Sequence, residues 1–128
     1  MANSKHKQLD AINLSHGARV LGDEKTAKDL LAMFIQKLPI YQDEIHGHVA
    51  KQRFLELKEA IHGLKGATCY TSTPLLHAKV GEIDAFLSSN QFAIAPRETE
   101  KQQLVKLIAA MDHHIDDLQA HYEILIKS

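Results

Sequence analysis

Apolar residues recur along the chain at intervals of three and four. Ala27, Leu31, Phe34, Leu38, Tyr41 and Ile45 form one stripe, Phe54, Leu57, Ile61 and Leu64 a second, and Leu76, Val80, Ile83 and Leu87 a third. The clearest runs through Leu104, Ile108, Met111, Ile115, Leu118, Tyr122 and Leu125. Such spacing places the residues of each stripe on one face of an α-helix. A helix of this kind has one apolar face to bury, so each needs the others. Four of them predict an all-α fold, an antiparallel four-helix bundle closed by short loops. A weaker pattern before Gly22 adds a short N-terminal helix packed across one end. Strand signals are weak, with no hairpin dipeptide between alternating runs. The expected helices occupy about 8–21, 24–49, 51–70, 74–89 and 97–126.

The polar interruptions agree with these boundaries. Asp23 is placed to cap a helix that begins "EKT", with acidic residues early, where the helix dipole favours them. Pro39 lies inside the second helix and should bend or divide it. Ser72 or Thr73 is the expected N-cap of the next helix but one, with Pro74 in its first turn. Ser88 to Thr99 is the longest connection. Residues 1–7 read as a flexible tail and 8–128 as one helical domain.

Composition narrows the function. A chain of 128 residues can bury a core without metal or disulfide support. The net charge is −1 and basic residues alternate with acidic ones, which argues against nucleic acid as a partner. No apolar run is long enough to span a bilayer, so no direct membrane contact is expected. Cys69 is the sole cysteine, which rules out an internal disulfide and suits a reducing, cytoplasmic compartment. On its own it reads as a small, semi-buried residue.

The stretch "EAIHGLKGATCY", Glu59 to Tyr70, departs from a packing helix. It carries two glycines, each costing about 1 kcal/mol in a helix interior. His62 lies about 100° around the helix from Ile61 and so points out of the bundle. Its ridge holds Leu55, Lys58, Lys65, Gly66 and Cys69, with an ammonium group one turn to either side. Neutral imidazole is a good nucleophile near pH 7. Phosphoryl transfer needs positioning and charge stabilisation above all. Lys65 is placed to hold phosphoryl oxygens, Lys58 to add positive charge, and Gly66 and Gly63 to leave room for a second protein. Leu55 is a candidate docking contact, and Cys69 lies at the edge of the same surface.

The other eight histidines do not form a metal motif. His46 and His48 fall on different sides of a helix, and so do His113 and His114. His121 shares the face of His114, but Glu-x-x-His occurs nowhere in the chain and one cysteine cannot supply a zinc site. No metal or other cofactor is expected to bind. Gly17 and Gly22 belong to no glycine-rich loop and carry no signal, and the chain has no P-loop.

"IHGLKGATCYTSTPLL" resembles the phosphohistidine segment of histidine-containing phosphotransfer (HPt) domains, in which the histidine is followed by an apolar residue, a lysine, a glycine and small residues. His62, Leu64, Lys65, Gly66 and Ala67 match in order. Tyr70 and Pro74 are similar to the HPt domains that end tripartite hybrid sensor kinases of the BarA/GacS kind. "LGDEKTAKDLLAMFIQKLP" resembles the start of the family's second helix, and Asp84 falls where an acidic or amide residue is often found. Gly63 stands in place of a frequent Lys or Arg, and Cys69 and Ser72 in place of glycines common seven and ten residues after the histidine. The resemblance implies a four-helix bundle with an extra N-terminal helix and no kinase activity of its own. His62 would accept a phosphoryl group through Nε2 from the phospho-aspartate of one receiver domain and pass it to the aspartate of a response regulator. Mg²⁺ would belong to the receiver. A monomer is implied, either free in the cytoplasm or the soluble end of an inner-membrane sensor kinase. The rival reading is a helical adaptor that docks a partner and makes no use of His62.

Overall fold

The computed structural model describes residues 9–89, 92 and 96–127. Five helices follow one another: α1 (Leu14–Leu21), α2 (Glu24–Ala50), α3 (Phe54–Thr68), α4 (Pro74–Leu87) and α5 (Glu98–Lys127). Helices α2 to α5 pack in a closed cycle, each against the next and α5 against α2. Side-chain pairs give the directions. His62 of α3 meets Asp84 of α4 while Thr68 meets His77. Gln42 and His46 of α2 share Asp112 of α5, whereas Lys28 and Leu31 lie by Tyr122 and Ile126. Both pairs of helices are therefore antiparallel, as short loops require. The expected tail, residues 1–7, lies outside the described residues, as do 90, 91 and 93–95 of the longest connection.

The predicted stripes form the core. Leu31, Leu38, Ile45, Leu57, Ile61, Leu64, Ile83, Leu104, Met111, Ile115 and Leu118 are fully or almost fully enclosed. Phe92 closes one end of the bundle against Phe54 and Phe86, with ring centroids 5.2 Å away in each case. The fourth stripe runs out sooner than its spacing suggests. Tyr122 is half-buried and Leu125 exposed, because α5 extends past the layer its neighbours can cover.

Local chemistry sets the boundaries and corrects several expectations. Asp23 caps α2 as predicted, accepting from Thr26 N at 2.7 Å and Thr26 Oγ1 at 3.0 Å. Helix α1 starts at Leu14, not residue 8, because Asn13 accepts from His16 N and fixes the first turn there. Helix α3 spans 54–68, not 51–70: Gln52 takes a positive φ of 54° in the preceding turn. Pro39 does not divide α2, which is continuous around it. The proline withholds one backbone donor on an exposed face, where water can serve the freed carbonyl. Thr73 is the N-cap of α4 with Pro74 in the first turn, but its hydroxyl bonds Thr71 Oγ1 at 2.8 Å and makes no cap bond.

Gly17 and Ser72 hold α1 in place. Gly17 is buried, and a Cβ there would overlap Ser72 Oγ and press on Ala27 Cβ. The glycine is thus a packing requirement, contrary to the reading that it carries no signal. Ser72 has a φ of 62°, a left-handed conformation that favours glycine, at one of the positions where the resemblance expects glycine. Backbone bonds complete the seam: Asn13 N donates to Ser72 O at 2.8 Å and Leu75 N to Asp10 O at 3.1 Å. Helix α1 therefore lies across the α3–α4 end of the bundle, as expected.

Between α4 and α5, His114 faces Leu75, Lys79 and Glu82, and its Nδ1 is buried without a partner. Burial, with Lys79 and His113 nearby, holds its pKa below the ordinary 6.5, against the weaker opposing pull of Asp117 and Glu82. The folded chain then binds this proton less readily than the unfolded chain does. Stability is full above pH 6.5 and falls as the pH drops from there towards the lowered value. Wild type should lose thermal stability between about pH 7.5 and about pH 5.5, and His114→Gln should lose less. Melting temperatures of the two chains at both pH values test this, and parallel losses would exclude His114 as the source.

Candidate functional site

The phase of α3 decides what its outer face offers. Ile61 and Leu64 are fully buried, which turns His62, Gly63 and Gly66 to solvent. The His62 side chain is 75% exposed. One turn on, Lys65 is half-buried, and its ammonium lies 3.6 Å from Asp84 Oδ2. His62 Nδ1 lies 3.4 Å from that same oxygen. Asp84 itself is only 13% exposed, held between α3 and α4. One fixed carboxylate oxygen thus touches both the imidazole and the ammonium.

This contact orients the ring chemically. A carboxylate only accepts, so the neutral imidazole meets it as the Nδ1–H tautomer. The lone pair is then on Nε2, on the far side of the ring. At 3.4 Å the bond is long, with room to tighten when the ring gains charge. Lys65 offsets the carboxylate charge and keeps the site from repelling anions outright.

Leu55, Lys58, Glu59, Asp84 and Ser88 surround His62 in an open hollow of about 510 Å³. Leu55 is 70% exposed, and Lys58 is half-buried beside it. A Cβ added at Gly63 or Gly66 would meet no atom within 4 Å, so neither glycine serves packing inside this chain. Cys69 corrects the sequence reading: it is exposed, not semi-buried, since α3 ends at Thr68 and lets the thiol out beside Lys65 O, 3.6 Å away. Leu55, Lys58, His62, Lys65 and Gly66 therefore lie along one ridge of α3, with Cys69 past its end and Gly63 exposed about 100° further round the helix.

The sequence reading left out Asp84 as a site residue. It is 22 positions from His62, and only packing brings the two together. A signal existed, because Asp84 follows Ile83 and so borders the buried stripe of α4. Three other histidines have side-chain partners elsewhere. His46 Nε2 pairs with Asp112 at 2.8 Å, His48 accepts from Arg53 Nε, and His121 Nδ1 meets Asp117 O at 2.7 Å. Among the described residues no three His, Cys, Asp or Glu side chains converge as metal ligands. No described helix is long and apolar enough to cross a membrane.

No curated protein and no solved structure matches the chain. The family model of the Hpt domain matches residues 29–121, from the second turn of α2 to the last turns of α5. That span holds α3, α4 and most of α2 and α5, with His62, Lys65, Gly66 and Asp84, and leaves α1 outside. An all-α bundle with an exposed histidine on one ridge accords with that match, and the chain belongs to the Hpt domain family, the phosphotransfer modules that work with receiver domains in two-component signalling.

Proposed function

We propose that His62 is the phosphoacceptor of a phosphorelay, taking its phosphoryl group from a receiver-domain phospho-aspartate and giving it to the aspartate of a response regulator. The observation that carries this is the exposed imidazole held at Nδ1 by Asp84, with Lys65 on the same oxygen. The Nε2 lone pair attacks phosphorus as the acyl phosphate P–O bond breaks and the receiver carboxylate leaves. The product is an N-phosphorylated imidazolium that keeps its Nδ1 proton, and Asp84 stabilises the new charge. Attack by a second aspartate reverses these steps and restores the neutral ring. Lys65 steadies the phosphoryl oxygens, Lys58 adds positive potential, and Gly63 and Gly66 let the receiver backbone come close. Leu55 and Cys69 contribute contact area.

Mg²⁺ belongs to the receiver in this reading, and the chain works without a cofactor of its own. A monomer suffices, because every group named lies on one copy. The match of Tyr70 and Pro74 to hybrid-kinase HPt domains makes a cytoplasmic position at the end of a membrane-bound sensor kinase the favoured setting.

The decisive experiment is phosphorylation by phosphoramidate and then by a phosphorylated receiver with Mg²⁺, followed by intact mass and acid lability. One acid-labile phosphate on wild type and none on His62→Gln is expected. A folded wild-type chain that takes no phosphate from either donor would leave only an adaptor role. Lys65→Ala and Asp84→Ala should each slow receiver transfer by about 10- to 100-fold, the scale of one charge-assisted contact. Stopped-flow or quench rates at wild-type levels would remove those roles. Gly66→Ala should raise stability by about 1 kcal/mol, since its Cβ meets nothing, yet slow receiver transfer. A gain in melting temperature without any kinetic cost would show that the clearance is unused.

A further inference from the structure

Helix α2 carries an apolar ridge on the side turned away from the bundle. Its core face is Leu31, Phe34, Leu38 and Ile45, all buried. Met33 and Ile40 lie across the helix from these and are 55% and 69% exposed. Gly47 continues their line. Steps of seven residues are close to two helical turns, so the three share one ridge about 21 Å long.

Gly47 has no use inside the chain. It lies within α2, where glycine weakens a helix relative to alanine. A Cβ there would meet no atom within 4 Å, so internal packing does not require its absence. Bare backbone on an outer ridge lets something from outside the chain approach closely.

The ridge is complementary to itself. When a second copy of α2 is laid antiparallel to the first about Ile40, Ile40 meets Ile40. Met33 of each copy falls opposite Gly47 of the other, because both stand seven residues from Ile40. A long, flexible thioether then covers the stretch of helix that lacks a side chain. The two-fold axis of such a pair crosses both helices at right angles and brings like flanks together. On one flank Lys37 comes within one residue's rise of Glu44 of the second copy. On the other flank Gln36 comes as close to Asp43. All four are exposed, and each pair occurs twice. Glu44 also meets His48 Nε2 of its own chain at 3.7 Å, and a carboxylate can accept from both. A parallel pair would instead set Glu44 against Asp43 of the second copy, two like charges, so the pattern selects the antiparallel arrangement.

We propose that α2 joins two copies of this chain through this ridge, as an antiparallel two-fold pair centred on Ile40. The contact is one helix wide and smaller than the roughly 800 Å² per partner of a standard interface, so the association is weak and reversible. It concerns assembly alone, since one copy suffices for the chemistry. His62 faces Asp84 of α4, away from this ridge, and each copy keeps its own site.

Sedimentation equilibrium of the full chain from about 10 µM to about 1 mM tests the pairing. Wild type should pass from monomer towards dimer over that range. Ile40→Glu should stay monomeric with an unchanged melting temperature. Gly47→Gln should melt no lower than wild type yet associate at least about tenfold more weakly, because its side chain takes the space of Met33. Lys37→Glu should weaken association to a similar degree, and the exchange Lys37→Glu with Glu44→Lys should recover it. A wild type that stays monomeric throughout would overturn the proposal and leave the ridge to a different protein. Dimerisation of Ile40→Glu at wild-type strength would also overturn it, by placing the contact elsewhere. Failure of the charge exchange to recover what Lys37→Glu loses would overturn the antiparallel pairing. None of these outcomes bears on His62, whose phosphorylation is read separately.

Discussion

A helix at the edge of a bundle can bury one face only, and in α3 that limit is met with little slack. Ile61 and Leu64 are fully enclosed while His62 and Gly63, between them in the sequence, are exposed. Turning α3 by one residue would bring both apolar side chains towards water, at about 1.5–3 kcal/mol each, and drive an imidazole into the core. The bundle therefore holds the ridge of His62 outward by packing its opposite face. Rigidity at the site comes from aliphatic residues that take no part in its chemistry.

The second helix of the site adds what the first cannot. A side chain on α3 could not easily meet the ring nitrogen from the bundle side, whereas Asp84, on the neighbouring antiparallel helix, reaches both His62 and Lys65. Being largely buried, that carboxylate is held by its surroundings and not by the cations it meets. This resembles the general pattern in which one residue reacts and a less exposed neighbour fixes its tautomer.

Much of the architecture was legible because it is written in a simple period. The four stripes, the Asp23 cap and the phase of His62 all follow from spacing and from the chemistry of helix ends. The structure departs at helix ends and where tertiary contacts decide. The start of α1 depends on Asn13, the exposure of Cys69 on where α3 unwinds, and the burial of Gly17 on Ser72, 55 positions away by number. Asp84 was visible as a residue type in a suggestive place, but its partner was not, because no local pattern encodes a contact between helices. The same holds for the lone buried nitrogen of His114, whose surroundings come from α4.

The interlock of Gly17 with Ser72 has a consequence for how such a chain can be recombined. A side chain at position 17 needs the space that the hydroxyl at 72 fills, and the left-handed backbone at 72 limits what can replace the serine. The two positions are one unit of inheritance, free to vary together and constrained apart. Grafting α1 from another bundle onto this one would need the α3–α4 turn to travel with it. Chimaeras cut between those segments would carry a mismatched seam even where every helix was individually sound.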